Sequence, residues 1–194
     1  MRLYRGLRLG VGGKIRALLA ALLLAGCSPM NVISEGGDSK LMLRGNDPVA
    51  YFTVGRALPG NPAIKAEHLG NTYRFAAEET RRIFITSPER FVPQFGGFSA
   101  KAMAYAIPVD GGADSFKIID GKLYLFDGAR SRLYFEMDQE RNLKLAWQYW
   151  ESEVRDTASW HLQALRRLVI RVPHYKSDAQ LAEEYEKRFG RKPG

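Results

Sequence analysis

One long stretch of the chain lacks both glycine and proline, and this constrains the fold more than any other sequence feature. Neither residue occurs between Gly128 and Pro173, although the 194-residue chain has 19 glycines and 9 prolines. Because these residues end or bend helices, their absence favours helix. Apolar side chains recur there mostly at three- or four-residue steps: Leu143, Ala146, Trp147, Trp150, Val154, Leu162, Leu165, Leu168 and Val172. We predict a helical C-terminal part, bent near Asp156, and a short polar helix over residues 179–188.

The part of the chain before Gly128 has the pattern of short strands and turns. Asp120-Gly121 separates the apolar runs 115–119 and 122–126, and this arrangement is the strongest local signal for a β-hairpin. Further elements are predicted as strands over residues 49–52 and 73–75 and as helices over residues 78–85 and after Ser87-Pro88-Glu89. The predicted fold class is α+β: a small domain with short strands, a β-hairpin and short helices, followed by a long C-terminal helix.

The first 26 residues have the organisation of a bacterial export signal. Five basic residues and no acidic residue precede an apolar run over residues 17–25. This run is shorter than the roughly 20 residues that span a bilayer. Leu24-Ala25-Gly26-Cys27 resembles the lipobox of lipoproteins, in which the cysteine is acylated before cleavage. Because Cys27 is the only cysteine, we predict a signal peptide over residues 1–26 and attachment of a fatty acid such as palmitate at Cys27. The alternative is an incidental thiol near a cleavage site or in an uncleaved anchor.

The leader also carries most of the net charge. The formal charge is +8, but without residues 1–26 the chain has 24 basic and 21 acidic residues, a net charge of +3. Nucleic acid is therefore not a predicted partner. Ser28 stands where Gram-negative lipoproteins retained at the inner membrane have aspartate, so the resemblance implies the periplasmic face of the outer membrane. Residues 27–40 are polar without a clear period and are predicted to be a flexible tether.

Four motifs resemble, in their order and spacing, the exported bacterial YHS-domain proteins. They are residues 46–52, residues 73–76, Phe84 with residues 87–98, and residues 119–125. The resemblance covers residues 41–150 and implies a small α+β domain, with residues 151–194 as a helical C-terminal extension. The relatives in heavy-metal pumps suggest metal binding through cysteines, at or near positions where this chain has Ala50, Ala76, Ala77 and Thr80, and exported members often have a cysteine where this chain has Ser99. Since copper(I) and structural zinc favour thiolates, no metal site and no cofactor are predicted.

Catalytic and metal-binding patterns are incomplete in this sequence. Gly97-Phe98-Ser99 forms half of a nucleophile elbow, but Lys101 stands where the second glycine would be. His68, His161 and His174 are too far apart in sequence to form a short ligand pair. No catalytic residue is therefore predicted.

Two further groups of residues allow both a structural and a functional interpretation. Asp110 and Asp114 lack the spacing of a calcium loop and are interpreted as solvated loop residues. An aromatic set could line a ligand pocket, although residues of this kind on strands are first expected to form the core: Tyr51, Phe52, Tyr73, Phe75, Phe95, Phe98, Tyr124 and Phe126.

The predicted binding region combines the glycine loop with the C-terminal helix. Its residues are Gly96, Gly97, Phe98, Ser99, Trp150, Trp160 and Arg166. Paired glycines allow a backbone to approach a partner, and tryptophan and arginine are enriched where binding energy is concentrated. The basic helix fits an anionic lipid surface or a partner groove. The ordinary alternative is that its apolar stripe covers the domain while its arginines face water.

Together these observations predict a lipid-anchored cell-envelope protein with a noncatalytic YHS-like domain that binds a ligand or a protein. Its predicted partners are the membrane, through the lipid at Cys27, and an envelope protein or small ligand. The alternative is a metal-handling protein or enzyme whose site is assembled only in the fold. The sequence does not indicate an oligomeric state.

Overall fold

The computed structural model describes residues 30–157 and 160–194. Within these ranges the protein is α+β, with seven α-helices, a four-stranded sheet and a two-stranded sheet. The predicted fold class is therefore confirmed. Cys27 and the leader lie outside the described residues, so the prediction of lipidation is not tested by the fold. None of the described helices is both long enough and apolar enough to cross a membrane.

The larger sheet is built from the first half of the chain. Its strands are β1 (Val32–Glu35), β2 (Asp38–Met42), β3 (Asn61–His68) and β4 (Asn71–Phe75). Their spatial order is β1-β2-β4-β3, with antiparallel β1–β2 and β3–β4 pairs. β2 runs parallel to β4, with Leu41 opposite Thr72. The strand predicted over residues 73–75 is confirmed as part of β4.

The β1–β2 hairpin replaces much of the predicted tether, because strands occupy residues 32–35 and 38–42. Its acidic residues are bound to a buried cation rather than solvated. Arg74 donates from Nε to Asp38 Oδ2 at 2.8 Å and from Nη1 to Glu35 Oε1 at 3.0 Å. Lys65 Nζ donates to Asp38 at 2.6 Å. Hydrogen bonds from Lys65 and Arg74 lower the pKa of Asp38 and stabilise its ionised form.

The strand predicted over residues 49–52 is wrong, since this run forms the short helix α1 (Ala50–Thr53). Asp47, which is fully buried, determines the turn that leads into it. Its Oδ1 accepts from the Val49 amide at 2.9 Å, and its Oδ2 accepts from the Ala76 amide at 2.9 Å and Thr80 Oγ1 at 2.6 Å. A short apolar run fits a buried strand or a buried helical turn equally well. Distant partners of Asp47 decide between them.

Short helical elements connect the two sheets. They are α2 (Glu78–Thr86), two 3-10 turns over Pro88–Arg90 and Gln94–Gly97, and α3 (Ala100–Met103). Phe84 of α2 packs on β4, with ring centroids 4.9 Å from Tyr73 and 5.1 Å from Phe75. The helices predicted over residues 78–85 and after Ser87 are confirmed, the second as a single 3-10 turn.

The second sheet is the predicted hairpin of β5 (Gly112–Ile119) and β6 (Lys122–Phe126). Asp120 and Gly121 both have positive φ, 50° and 70°, as a type I′ turn requires. Side chains of β6 alternate between two cores. Leu123 and Leu125 pack with the four-stranded sheet and α2, whereas Tyr124 and Phe126 pack with the C-terminal helices. Because both faces of β6 are buried, this strand forms a wall between the two cores.

The C-terminal part is helical, as predicted, but is divided into several helices. These are α4 (Ala129–Glu136), α5 (Gln139–Tyr149), a π-helical turn over Trp150–Val154, α6 (Trp160–Val169) and α7 (Asp178–Phe189). The chain leaves helical geometry near Asp156, where the bend is predicted. α7 corresponds to the predicted polar helix. It begins with a Ser177–Gln180 capping box and ends at Gly190, which has φ of 65°.

The apolar stripe predicted for this part does not cover the domain along its whole length. Ala146, Trp150 and Val154 are buried, but Leu162, Leu165 and Leu168 are 68%, 60% and 52% exposed. The ordinary interpretation of the stripe is therefore wrong for α6. The reason is that the chain breaks from helix near Asp156, so α6 is free to take a different orientation from α5.

Candidate functional site

The residues predicted to bind a partner are mostly inside the protein. Gly96, Gly97, Phe98 and Ser99 are buried, and Trp150 is 5% exposed in the same core as Phe98. The carbonyl groups of the loop are already bonded within the protein. The backbone amide of Asn31 donates to Gly96 O at 2.8 Å, and its side-chain Nδ2 donates to Gly97 O at 2.9 Å. The glycines therefore allow close packing within the domain rather than the approach of a partner.

The remaining two predicted residues belong to α6. The side chain of Trp160 lies outside what the structure describes. Arg166 lies on the helix surface, with Nη2 3.1 Å from Glu153 Oε2. The structure thus brings the glycine loop together with Trp150, but it does not place Arg166 in that core.

Ser99 helps to position an acidic side chain at the surface. Its Oγ donates to Asp127 Oδ1 at 2.5 Å, and Ser131 Oγ donates to the same oxygen. Ser99 has no exposed surface, so a substrate cannot reach its hydroxyl in this conformation. The two serines fix the orientation of Asp127, which lines an open cavity.

This cavity has a volume of about 560 Å³. Three separate segments form it: the chain after β2, the beginning of β5, and the junction between β6 and α4. Its lining residues are Arg44, Asn46, Gly112, Ala113, Asp114, Ser115, Asp127, Gly128, Ala129 and Arg132. The cavity therefore lies where the two halves of the domain meet, a common position for ligand sites.

Arg44 reaches the cavity from an unusual backbone turn. Leu43, Arg44 and Gly45 have φ of 55°, 52° and 78°. Positive φ in two successive residues other than glycine is uncommon. Leu43 is buried in the sheet core while Arg44 is exposed, so this turn separates a core residue from a cation at the cavity.

Arg132, near the start of α4, supplies the second guanidinium group of the cavity. Its Nη1 donates to Phe116 O at 3.3 Å, and its Nε lies 3.8 Å from Glu136 Oε1. That Nε is buried and has no hydrogen-bond partner among the described residues. Gly128 begins the helix without a side-chain cap. The partial positive charge of the helix start is therefore directed to the same cavity as the two arginines.

Acceptors and a hydroxyl complete the lining. Asp114 and Asp127 are exposed carboxylates. The Ser115 Oγ is buried and makes no hydrogen bond with the part of the chain that the structure describes. Beneath the cavity lining, the buried Tyr51 donates a hydrogen bond from its hydroxyl to Ala113 O at 3.1 Å. Burial, with a smaller effect from Asp114, raises the pKa of Tyr51, so this phenol stays a neutral structural donor.

The arrangement suits binding better than covalent chemistry. Ser99 is bonded to a carboxylate and has no access to solvent, whereas a nucleophilic serine needs a base and an open path to substrate. His174 Nε2 lies 2.9 Å from Ala104 O and His68 Nε2 lies 3.1 Å from Glu89 Oε1. Residues 30–157 and 160–194 contain no group of three or more histidine, cysteine or acidic side chains that could hold a metal ion. The prediction on metals stays a prediction.

Most residues of this cavity were not predicted from the sequence. Asp114 was predicted to be a solvated loop residue; it is exposed, but the loop assignment is wrong, because Asp114 lies in strand β5. The signals that exist are the Asp127-Gly128 pair between a strand and a helix and the polar residues on either side of β5. Arg44 and Arg132 are 88 positions apart in the sequence, and no local pattern connects them.

No protein-family model, curated protein or solved structure matches this chain. The resemblance to exported YHS-domain proteins is therefore a prediction based on the motifs alone.

Proposed function

We propose that this chain is a lipid-anchored protein of the bacterial cell envelope whose YHS-like domain binds a small polar ligand without catalysis. The observation that carries the proposal is the 560 Å³ cavity with two arginines and two aspartates in its lining. The lipobox-like sequence ending at Cys27 supports the anchor. The α+β fold of residues 41–150 agrees with the domain type that the motifs predict.

The lining indicates a ligand that carries both acidic and hydrogen-donating groups. Guanidinium groups bind carboxylate or phosphate through paired, charge-assisted hydrogen bonds. Arg44, Arg132 and the start of α4 provide such donors on this cavity. Asp114 and Asp127 accept hydrogen bonds from hydroxyl or ammonium groups. A small anion with hydroxyl or amino substituents therefore fits the lining better than an apolar molecule does.

Ligand binding in the cavity is tested by identifying small molecules that stay bound to the protein when it is isolated. We expect that the full-length protein, extracted from native envelopes and then denatured, releases a small anionic molecule that mass spectrometry detects. Arg44→Gln with Arg132→Gln should lower the recovered amount by about tenfold or more, because each charge-assisted hydrogen bond contributes about 1.5–3 kcal/mol. Arg56→Gln is the matched control, since Arg56 is exposed and does not line the cavity. Equal recovery from the double variant and the control would contradict this proposal.

The anchor is tested at Cys27. Cys27→Ser should abolish incorporation of labelled palmitate and move the protein from the membrane fraction to the soluble fraction, because serine lacks the thiol that is acylated. Cell fractionation with fatty-acid labelling measures both effects, and Ser28→Ala serves as the neighbouring control. Unchanged labelling in the Cys27→Ser protein would show that the lipid, if present, is attached elsewhere.

A further inference from the structure

Helix α6 exposes a concentrated apolar face. Leu162, Leu165, Leu168 and Val169 are 68%, 60%, 52% and 78% exposed, and Ile170 just beyond the helix is 59% exposed. Five of the eleven exposed large apolar residues in the described ranges thus lie within residues 162–170. At 100° per residue, the four helical side chains fall on about one third of the helix circumference. Scattered exposed apolar residues are ordinary, but a contiguous face of this kind indicates an interaction surface.

The opposite side of α6 is the side attached to the domain. Arg167 donates from Nε to Glu153 Oε2 at 3.0 Å, and its guanidinium carbon lies 5.6 Å from the centre of the Tyr149 ring. Arg166 also contacts Glu153. The arginine side of the helix therefore faces the domain and the leucine side faces outward. An amphipathic helix that packs on its own domain has the reverse arrangement.

The segment that contains α6 is also strongly basic. No acidic residue occurs between Asp156 and Asp178, whereas Arg166, Arg167, Arg171 and Lys176 lie in that interval. Two acidic residues from outside the interval compensate part of this charge: Glu153 pairs with Arg166 and Arg167, and Glu184 pairs with Lys176. An apolar helix face bordered by basic residues is the pattern of helices that lie in the interface of an anionic membrane.

The beginning of the described chain is linked to the support of α6 through a short series of contacts. Asn31 bonds to Gly96 and Gly97, and the adjacent Phe95 has its ring centroid 6.0 Å from that of Trp150. Trp150 begins the π-helical turn that contacts α6. Cys27 precedes Met30 by three residues, which span at most about 10 Å. An acyl chain at Cys27 would therefore hold the N-terminal end of the domain, which these contacts connect to the support of α6, near the bilayer.

We propose that α6 binds the surface of an anionic phospholipid bilayer, with Leu162, Leu165 and Val169 inserted at the boundary between headgroups and acyl chains. Arg166, which is next to this face on the helix circumference and is exposed, would then lie at the level of the lipid phosphates, while Arg167 stays bound to Glu153 on the domain side. This membrane contact is additional to the acyl anchor. Only the argument from nearness depends on the proposed lipidation, because the exposed face and its charge are properties of α6 itself.

The test uses the processed chain, residues 27–194 with Cys27→Ser, so that no acyl chain contributes. The probe is a vesicle of phosphatidylethanolamine with about one quarter phosphatidylglycerol, compared with pure phosphatidylcholine. We expect flotation with the anionic vesicles and weaker flotation at high salt. Leu162→Ser with Leu165→Ser should lower the bound fraction about tenfold, because both side chains would lose their transfer into lipid.

The matched control replaces two exposed apolar residues on another helix. Ile83 and Ile85 of α2 are 40% and 51% exposed, and Ile83→Ser with Ile85→Ser should leave flotation unchanged. Unfolding midpoints measured for both double variants establish that each is folded. The proposal is overturned if the parent protein does not float, or if the α6 variant floats as well as the α2 variant. Sedimentation that shows self-association through α6, without flotation, would assign this face to a second copy and would also overturn it.

Discussion

Replacing Asp47 with alanine is expected to lower the free energy of unfolding by about 3–5 kcal/mol, because the change leaves buried donors without a partner. Asp47 is fully buried. Its carboxylate is the acceptor for the amides of Val49 and Ala76 and for the hydroxyl of Thr80. These bonds connect the turn before α1 to the end of β4 and the first turn of α2. Their loss should therefore affect the whole four-stranded half of the domain.

Urea unfolding of Asp47→Ala, compared with that of the control Asp110→Ala, measures this loss of stability. Asp110 is an exposed loop acid, and its replacement removes a negative charge without leaving a buried donor unpaired, so a change of less than about 0.5 kcal/mol is expected. Asp47→Asn retains one side-chain oxygen and should give an intermediate midpoint. If Asp47→Ala and Asp110→Ala unfold at the same concentration of urea, the Asp47 hydrogen bonds do not determine the stability of this half.

Gly111→Ala is the second substitution for which a large effect is expected, about 2–4 kcal/mol of lost stability. A β-carbon at Gly111 would lie 2.5 Å from Leu125 Cβ and 2.7 Å from Gly97 O. Neither atom is at the end of a flexible side chain. Strand β6 or the glycine loop would have to move, and the 3.2 Å hydrogen bond from the Gly111 amide to Gly97 O would be strained.

Gly112 provides the matched control for Gly111. A β-carbon there would lie 3.5 Å from Phe126 O, which is an ordinary contact, and Gly112→Ala should change stability by less than about 1 kcal/mol. Thermal unfolding of the two variants, measured side by side, separates the steric effect from the general effect of replacing glycine. If the Gly111→Ala protein is as stable as the Gly112→Ala protein, β6 or the glycine loop can move away from residue 111 with little loss of free energy of unfolding.

The elements that were predicted correctly are those whose conformation is determined locally. The Asp120-Gly121 turn needs positive φ at both positions, and α7 has its cap and its terminating glycine within its own sequence. Most of the β1–β2 hairpin was interpreted as a tether because residues 27–40 are polar and have no clear period, and its acidic residues are bound by a cation from a distant part of the chain. Arg74, which binds them, lies 36 positions after Asp38. Patterns within a short window of sequence do not include such partners.

The candidate site and the face of α6 were less predictable for the same reason. The glycine loop was predicted to be a binding surface, although glycine pairs serve both recognition and close packing. The contacts with Asn31 and Gly111 show that packing is their role here. For α6, periodicity predicted an amphipathic helix correctly. It does not specify which side faces the domain, and in this chain the Glu153 contact determines that orientation.

The contacts of Asn31 join the beginning of the domain to residues that come much later in the chain. Its side chain donates to Gly97 and Gly111, which are 66 and 80 positions later in the chain, and β2, which pairs with β1 on one edge, pairs in parallel with the later strand β4 on the other. Contacts between residues so distant in sequence form slowly, because a long loop must close first. When the chain emerges N-terminus first, β1 and β2 are made early but wait for β4 and for residue 111. The strands that are synthesised first are therefore among the last to form all their hydrogen bonds. Until β4 pairs with β2, the free edge of β2 is exposed to other chains.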